Sequence, residues 1–73
     1  MDKNQFRRIA SNKVILDDKI IQQCVVELID GRVVNYYGFK DELPITEWLG
    51  GTIILEKDKD GVLRASQDGA YIQ

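Results

Sequence analysis

The sequence lacks histidine altogether and contains one cysteine, Cys24. A single cysteine cannot form a disulfide within the chain, and histidine is the side chain that most often serves as a general base or metal ligand near neutral pH. The sequence also contains no P-loop, CxxC or GxSxG motif. We therefore expect no enzymatic activity, no catalytic residues, and no bound metal ion or cofactor.

Long apolar runs and a strong charge of one sign are also missing. Ten basic residues stand against 12 acidic ones, and the net charge of −2 is not the basic excess of a nucleic-acid-binding protein. No stretch approaches the roughly 20 apolar residues of a membrane span, and the polar residues 1–8 do not resemble a signal peptide. We expect a cytoplasmic protein that contacts no membrane and does not have nucleic acid as its main partner.

The chain length sets the scale of the core. With 73 residues the sequence predicts one small β domain, 1–73, whose first five residues are frayed. A domain of this size leaves about 40% of its unfolded surface exposed, so its core is marginal. Help from a partner, including a second copy of the chain, is therefore an attractive hypothesis.

A β-hairpin over residues 23–39 is the strongest structural signal. Both of its arms are rich in β-branched and aromatic residues, which favour strands. Between the arms, Asp30-Gly31 is a dipeptide that readily adopts the positive φ of a tight turn. We expect the rest of the chain to assemble around this hairpin.

Two registers are open to this hairpin. A two-residue loop would pair Ile29 with Arg32 and would mix polar and apolar residues on both faces. A three-residue loop with Gly31 in the bulge position pairs Val26 with Val34 and separates them better, and we prefer it. One face then holds Cys24, Val26, Leu28, Val34 and Tyr36, and the other holds Gln23, Val25, Glu27, Val33, Asn35 and Tyr37.

The residues before the hairpin predict two shorter strands. They also extend the first arm of the hairpin back to residue 20, as the long return arm of the turn at Asp17-Asp18. Turn-forming residues separate the apolar segments, and the long return arm has its apolar stripe interrupted by glutamine. We expect strands over residues 6–10, 14–16 and 20–28, turns at Ser11-Asn12 and Asp17-Asp18, and a bulge near Gln22-Gln23.

The residues after the hairpin predict a short helical turn. Pro44 suits the first position of a helix, and Gly50-Gly51 would end it. We therefore expect one helical turn around Ile45-Leu49, with Trp48 closing an open end of the sheet.

A second hairpin follows over residues 52–66. A type I turn over residues 58–61 with Gly61 in the bulge position pairs Leu55 with Ala65, Glu56 with Arg64, and Lys57 with Leu63. The last residues add an Asp68-Gly69 turn and a short closing strand over residues 70–72.

The turn of this second hairpin resembles the first half of an EF-hand calcium loop. Its acidic residues alternate over residues 56–60 and precede Gly61. Gln67, however, stands where that family places its bidentate glutamate, and the flanking residues predict strands. We interpret the segment as an ordinary charged hairpin turn.

These elements together predict an all-β fold. The expected architecture is a small bent antiparallel sheet or partly open barrel of five or six short strands built from hairpins. Tyr37 falls on the face opposite the core, beside Val25 and Val33. This group is more apolar than a face in contact with solvent needs to be. The candidate interaction surface is Val25, Val33, Tyr37 and Trp48.

The function that we favour is non-catalytic protein interaction, with self-association into a homodimer as its form. The alternative is a module that binds a small ligand or single-stranded nucleic acid through the region of Tyr37 and Trp48. An enzyme comes last among the three.

Overall fold

The computed structural model describes residues 5–40 and 46–73. These residues form the all-β fold that the sequence predicts, with no helix among them and so none that could reach across a lipid bilayer. The strands, in chain order, are β1 Phe6–Leu16, β2 Lys19–Ile29, β3 Arg32–Gly38, β4 Glu47–Trp48, β5 Thr52–Lys57, β6 Leu63–Gln67 and β7 Ala70–Tyr71.

All seven strands belong to one open sheet. Its order is β3-β2-β1-β5-β6-β7, and β4 pairs with β1. The contacts of β1 with β4 and β5 are parallel, and the other pairings are antiparallel. The sheet is curled, because β3 comes close to β6 without pairing with it. An Arg64 Nη1 group on β6 donates to the Gly31 carbonyl oxygen at 3.1 Å across this gap.

β1 and β2 form a long hairpin whose reversal lies at Asp17-Asp18, as expected. The turn expected at Ser11-Asn12 is wrong, because β1 is continuous there. Ser11 is buried, its hydroxyl donates to the Gly51 carbonyl oxygen, and the Lys13 N–H donates to that hydroxyl at 3.3 Å. The hydroxyl therefore supports a strand interior instead of a reversal.

β2 bends at Gln23, close to the position expected for a bulge. Gln23 has a positive φ of 52°, and neither it nor Asn12 on β1 takes part in the pairing of the two strands. The register is the same on both sides, so the bend involves no inserted residue. Side-chain alternation shifts across it, since Ile9 and Val14, five residues apart, both lie in the core.

The core lies on the inner face of the curled sheet. Its residues come from β1, β2, β5 and β6, so it lies between the β1–β2 hairpin and the β5–β6 hairpin. The fully buried members are Ile9, Val14, Cys24, Val26, Leu28, Ile53, Leu55 and Ala65.

Cys24 should therefore resist thiol-reactive dyes in the native protein. Its side chain is fully buried, and this burial raises the pKa of the thiol, which lowers the concentration of the reactive thiolate. Labelling should be slow in buffer and fast in denaturant, followed by absorbance. Rapid labelling of the folded protein would place Cys24 on the surface and contradict the core described above.

The second hairpin, β5–β6, has the register that the sequence predicts. Leu55 pairs with Ala65, Glu56 with Arg64 and Lys57 with Leu63, and Gly61 has a φ of 80°. The expected closing strand is also present as β7, which pairs with β6 through the Asp68-Gly69 turn.

The turn of this hairpin is held by Asp58. Its Oδ1 accepts hydrogen bonds from the backbone N–H groups of Asp60 and Val62, at 2.8 and 3.0 Å. Its Oδ2 accepts from Arg64 Nε at 3.0 Å. These contacts lower the pKa of Asp58 from its ordinary value. The carboxylate therefore stabilises a charged turn, and the ion pair of Arg64 is with Asp58, although Glu56 is its neighbour in the register.

The register preferred for the hairpin over residues 23–39, which is β2–β3 in the structure, is wrong. Ile29 pairs with Arg32, so the loop has two residues, and both Asp30 and Gly31 have positive φ values, 53° and 80°. That combination is the type I′ turn, whose twist matches that of paired strands. The three-residue loop was preferred because it separates apolar from polar residues on the two faces of the hairpin. In the structure a different feature produces this separation.

That feature is a β-bulge at Val34. Leu28 pairs with Val33 and Glu27 pairs with Asn35, which leaves Val34 as the extra residue of β3. The bulge places Val33 on the inner face, where it packs against the core, and leaves Val34 exposed. Val33 therefore does not share a face with Val25 and Tyr37, which corrects one of the four expected site residues.

The helical turn expected around Ile45-Leu49 is also wrong where the structure describes it. Glu47 and Trp48 form β4, which pairs with Ile9 and Ala10 of β1, and the Leu49 N–H donates to the Ala10 carbonyl oxygen at 2.8 Å. A helical turn would leave these backbone groups of β1 without their partners. Pro44 and Ile45 lie outside the described residues.

Candidate interaction surface

One row of side chains crosses four strands on the outer face of the sheet. Ala10 of β1 pairs with Trp48 of β4 on one side and with Val25 of β2 on the other, and Val25 pairs with Tyr37 of β3. Residues directly opposite each other in a sheet share a face. The register therefore brings Trp48 and Tyr37, far apart in sequence, to the two ends of one row.

Two further aromatic residues belong to this region. Phe39 contacts Trp48 with its ring centroid 6.2 Å away and the ring planes nearly perpendicular, a favourable edge-to-face arrangement. Phe6 lies four residues before Ala10 on β1 and so on the same face, under the Arg8 guanidinium group, which is 5.4 Å from the ring centroid. We call Phe6, Tyr37, Phe39 and Trp48 the aromatic face.

The middle of the row is buried although it lies on the outer side. Ala10 and Val25 have almost no exposed surface, whereas Trp48 is 55% exposed and Tyr37 is 37% exposed. The small Ala10 leaves room for a large neighbour, and the register places aromatic residues on both sides of the pair. Val25 therefore lies beneath the surface and is not available for contact with a partner. Tyr37 and Trp48 cover it and are themselves exposed.

Glu27 organises the charged part of the outer face. Its Oε2 accepts hydrogen bonds from Arg8 Nε at 3.0 Å and from the Tyr37 hydroxyl at 3.1 Å, and Asn35 lies at 3.5 Å from Oε1. Burial raises the pKa of Glu27, but these hydrogen bonds outweigh it and the pKa lies below its ordinary value. Burial and the contact with Glu27 raise the pKa of the Tyr37 hydroxyl. Both groups keep one protonation state near neutral pH, which suits structure and not proton transfer.

A second ion pair lies beside the aromatic face. Arg7 binds Glu47 through two nitrogens, at 2.7 and 3.0 Å, and its Nη1 donates to the Gln73 carbonyl oxygen at 3.1 Å. The hydrogen bond from Arg7 lowers the pKa of Glu47. Next to this pair is an open depression of about 310 Å³, lined by Phe6, Arg7, Arg8, Thr46 and Glu47. Both of its arginines are engaged by carboxylates.

β3 is the most exposed of the longer strands. It lies at the edge of the sheet, and only Val33 among its seven residues is partly buried. Its exposed residues include Val34, at 53%, and Tyr36 and Tyr37. In the described part of the chain no other strand carries three exposed large hydrophobic side chains.

The structure therefore unites two of the four expected site residues, Tyr37 and Trp48, over the buried Val25. Phe6 and Phe39 were not among the expected site residues. The signal for Phe6 was present in the alternation of Phe6, Arg8 and Ala10 along β1. Phe39 offered none, because its contact with Trp48 depends on a pairing between distant segments.

Comparison of the chain with protein-family models, with curated proteins and with solved structures found no match. Within the described ranges, no three histidine, cysteine, aspartate or glutamate side chains lie together as the ligands of a metal ion would.

Proposed function

We propose that this chain is a non-catalytic protein-interaction domain that associates with itself through the β3 side of the sheet. The observation that carries the proposal is the concentration of exposed apolar side chains on one edge strand: Val34, Tyr36 and Tyr37. Exposed apolar residues scattered singly need no explanation, whereas a group of them on an edge strand is typical of an interaction site.

The energetics of a small domain support association. Each 100 Å² of apolar surface that a partner buries stabilises the bound state by about 2.5 kcal/mol before the cost of association is subtracted. A marginal core gains from such burial more than a large one does, because a few kcal/mol is a large part of its stability. A second copy meets this need without any other protein.

The other candidate functions have less support. A nucleic-acid surface needs basic groups that are free to bind phosphate, whereas Arg7 and Arg8 are held by Glu47 and Glu27 beside the exposed aromatic rings. A small ligand would need a site that encloses most of its surface, and the depression beside Phe6 is open. An enzyme remains the last of the alternatives.

A pair of matched variants tests the proposal. Sedimentation velocity of the wild type between about 5 and 500 μM should show a monomer converting to a dimer, the range expected of a weak interface. Val34→Lys should weaken this association at least tenfold, because it places a charge on the contact strand. Ile54→Lys is the control, since Ile54 is similarly exposed, at 41%, but lies on β5.

The single tryptophan gives an independent reading of the same samples. Trp48 lies three strands away from the outer edge of β3, so its emission maximum should not change as the dimer forms. A shift to shorter wavelength would mean that the copies meet through the aromatic face at Trp48. A wild type that sediments as a monomer up to 500 μM, or equal weakening by the two lysine variants, would contradict the proposal.

A further inference from the structure

The free edge of β3 has a definite pattern of backbone groups. The Phe39 N–H donates to the Gln23 carbonyl oxygen of β2 at 2.9 Å, so residue 39 points its backbone groups into the sheet. Backbone groups alternate along a strand, which turns those of Tyr36 and Gly38 outward. The Tyr36 N–H accordingly donates to the side-chain oxygen of its neighbour Asn35 at 2.9 Å.

Apart from the Val34 bulge and Arg32 at the start of β3, the described part of this edge lacks the usual protections against pairing with another strand. Proteins commonly protect edge strands with charged side chains, prolines or very short length. Residues 33–39 contain neither a charged residue nor a proline, and β3 is seven residues long. At the other end of the sheet, β7 has only two residues. Among the described residues, the Asn35 side chain covers the outward N–H of Tyr36, and this side chain is exposed.

We propose that a second copy of the chain pairs with β3 as an antiparallel strand, with Tyr36 of both copies at the two-fold axis. The inference rests on the self-association proposed above and names its geometry. Tyr36 would exchange backbone hydrogen bonds with the second copy's Tyr36, and Val34 would lie opposite the second copy's Gly38. In this register the pairing runs from the Val34 bulge to the end of the strand in both copies.

The side chains are suited to a copy of the same strand. Opposed tyrosines at position 36 form an aromatic cross-strand pair, which is among the favourable ones. Gly38 has no side chain to obstruct the exposed Val34 across from it. Antiparallel pairing also keeps equivalent faces on one side, so the two aromatic faces become parts of one larger surface.

Amide hydrogen exchange measured by NMR at 5 and 500 μM tests the pairing. The Tyr36 and Gly38 amides should exchange at least tenfold more slowly at the higher concentration. In the dimer the Gly38 amide gains a partner, and the Tyr36 amide replaces its bond to the exposed Asn35 side chain with one to the second copy's backbone. The Phe39 amide, bonded to β2 in each copy, should be protected at both concentrations.

Substitution of Gly38 by proline or alanine supplies a matched pair. A Cβ at Gly38 lies 3.7 Å from its nearest neighbour, the Gln23 carbonyl oxygen, so alanine fits and keeps the N–H. Proline removes the N–H that points outward, a position at which edge strands tolerate proline. Gly38→Pro should weaken dimerisation at least tenfold more than Gly38→Ala does.

The possible outcomes separate this inference from the proposed function. A dimer whose Tyr36 and Gly38 amides show no concentration-dependent protection would overturn the β3 pairing and leave self-association standing. A wild type that stays monomeric would overturn both. If circular dichroism shows that Gly38→Pro does not fold, the exchange data on the wild type decide the matter alone.

Discussion

Gly31→Val should lower the free energy of unfolding by about 3 kcal/mol, measured by urea denaturation. Gly31 has a φ of 80°, which costs a β-branched residue about 1–2 kcal/mol. A Cβ there would also lie 3.0 Å from Arg64 Nη1 and 3.2 Å from Gln73 Oε1. The hydrogen bond from Arg64 to the Gly31 carbonyl oxygen, which joins β6 to the turn between β2 and β3, would be disturbed as well.

Gly61→Val is the control for this change. Gly61 has the same φ of 80°, but nothing lies within 4 Å of a Cβ built on it. It should therefore lose only the cost of the backbone conformation, about 1–2 kcal/mol. Equal losses in the two variants would show that the closure of the curled sheet at Gly31 contributes nothing, and an unchanged stability of Gly31→Val would refute the turn itself.

The contrast between the two hairpins shows what local sequence determines. In β5–β6 the turn residues and the facing charges of Glu56 and Arg64 favour one register, and that register is found. In β2–β3, Asp30-Gly31 is compatible with loops of two or three residues, and the choice between them assumed unbroken alternation along β3. The bulge at Val34 breaks that alternation without any turn signal of its own.

The conformation of Glu47 and Trp48 shows the limit of local reasoning in another way. Pro44 and the two glycines after Leu49 are good signals for a helical turn, but helix propensity is weak over so few residues. β1 offers unpaired backbone groups beside Ile9 and Ala10, and pairing with them decides the outcome. A partner 38 residues away along the chain, Ala10 for Trp48, leaves no trace in the local pattern.

The same reasoning accounts for the candidate surface. Tyr37 and Trp48 could be predicted because aromatic residues outside the core pattern stand out in the sequence. Their placement in one row over Val25 depends on two pairings of β1 and one of β3, of which only the hairpin contacts are local. The exposed edge of β3 follows from strand order, which alternation along a single strand does not specify.

Tyr37→Asp should destabilise the fold by about 3 kcal/mol in urea denaturation. The tyrosine ring lies beside the buried Val25 and is itself only 37% exposed, so its loss uncovers apolar surface. The new carboxylate would also face Glu27, whose pKa is already lowered and which therefore stays charged. Two like charges on neighbouring strands repel each other.

Tyr37→Phe is the matched control, because it keeps the ring and removes only the hydroxyl that donates to Glu27 at 3.1 Å. It should cost about 1 kcal/mol and leave the sedimentation of the protein unchanged, since the ring still covers Val25. Circular dichroism and sedimentation of the aspartate variant then separate two roles for Tyr37. A variant that folds with wild-type stability and sediments as a monomer would mean that the ring serves only as an interface residue, and the covering role that we assign to it would be wrong.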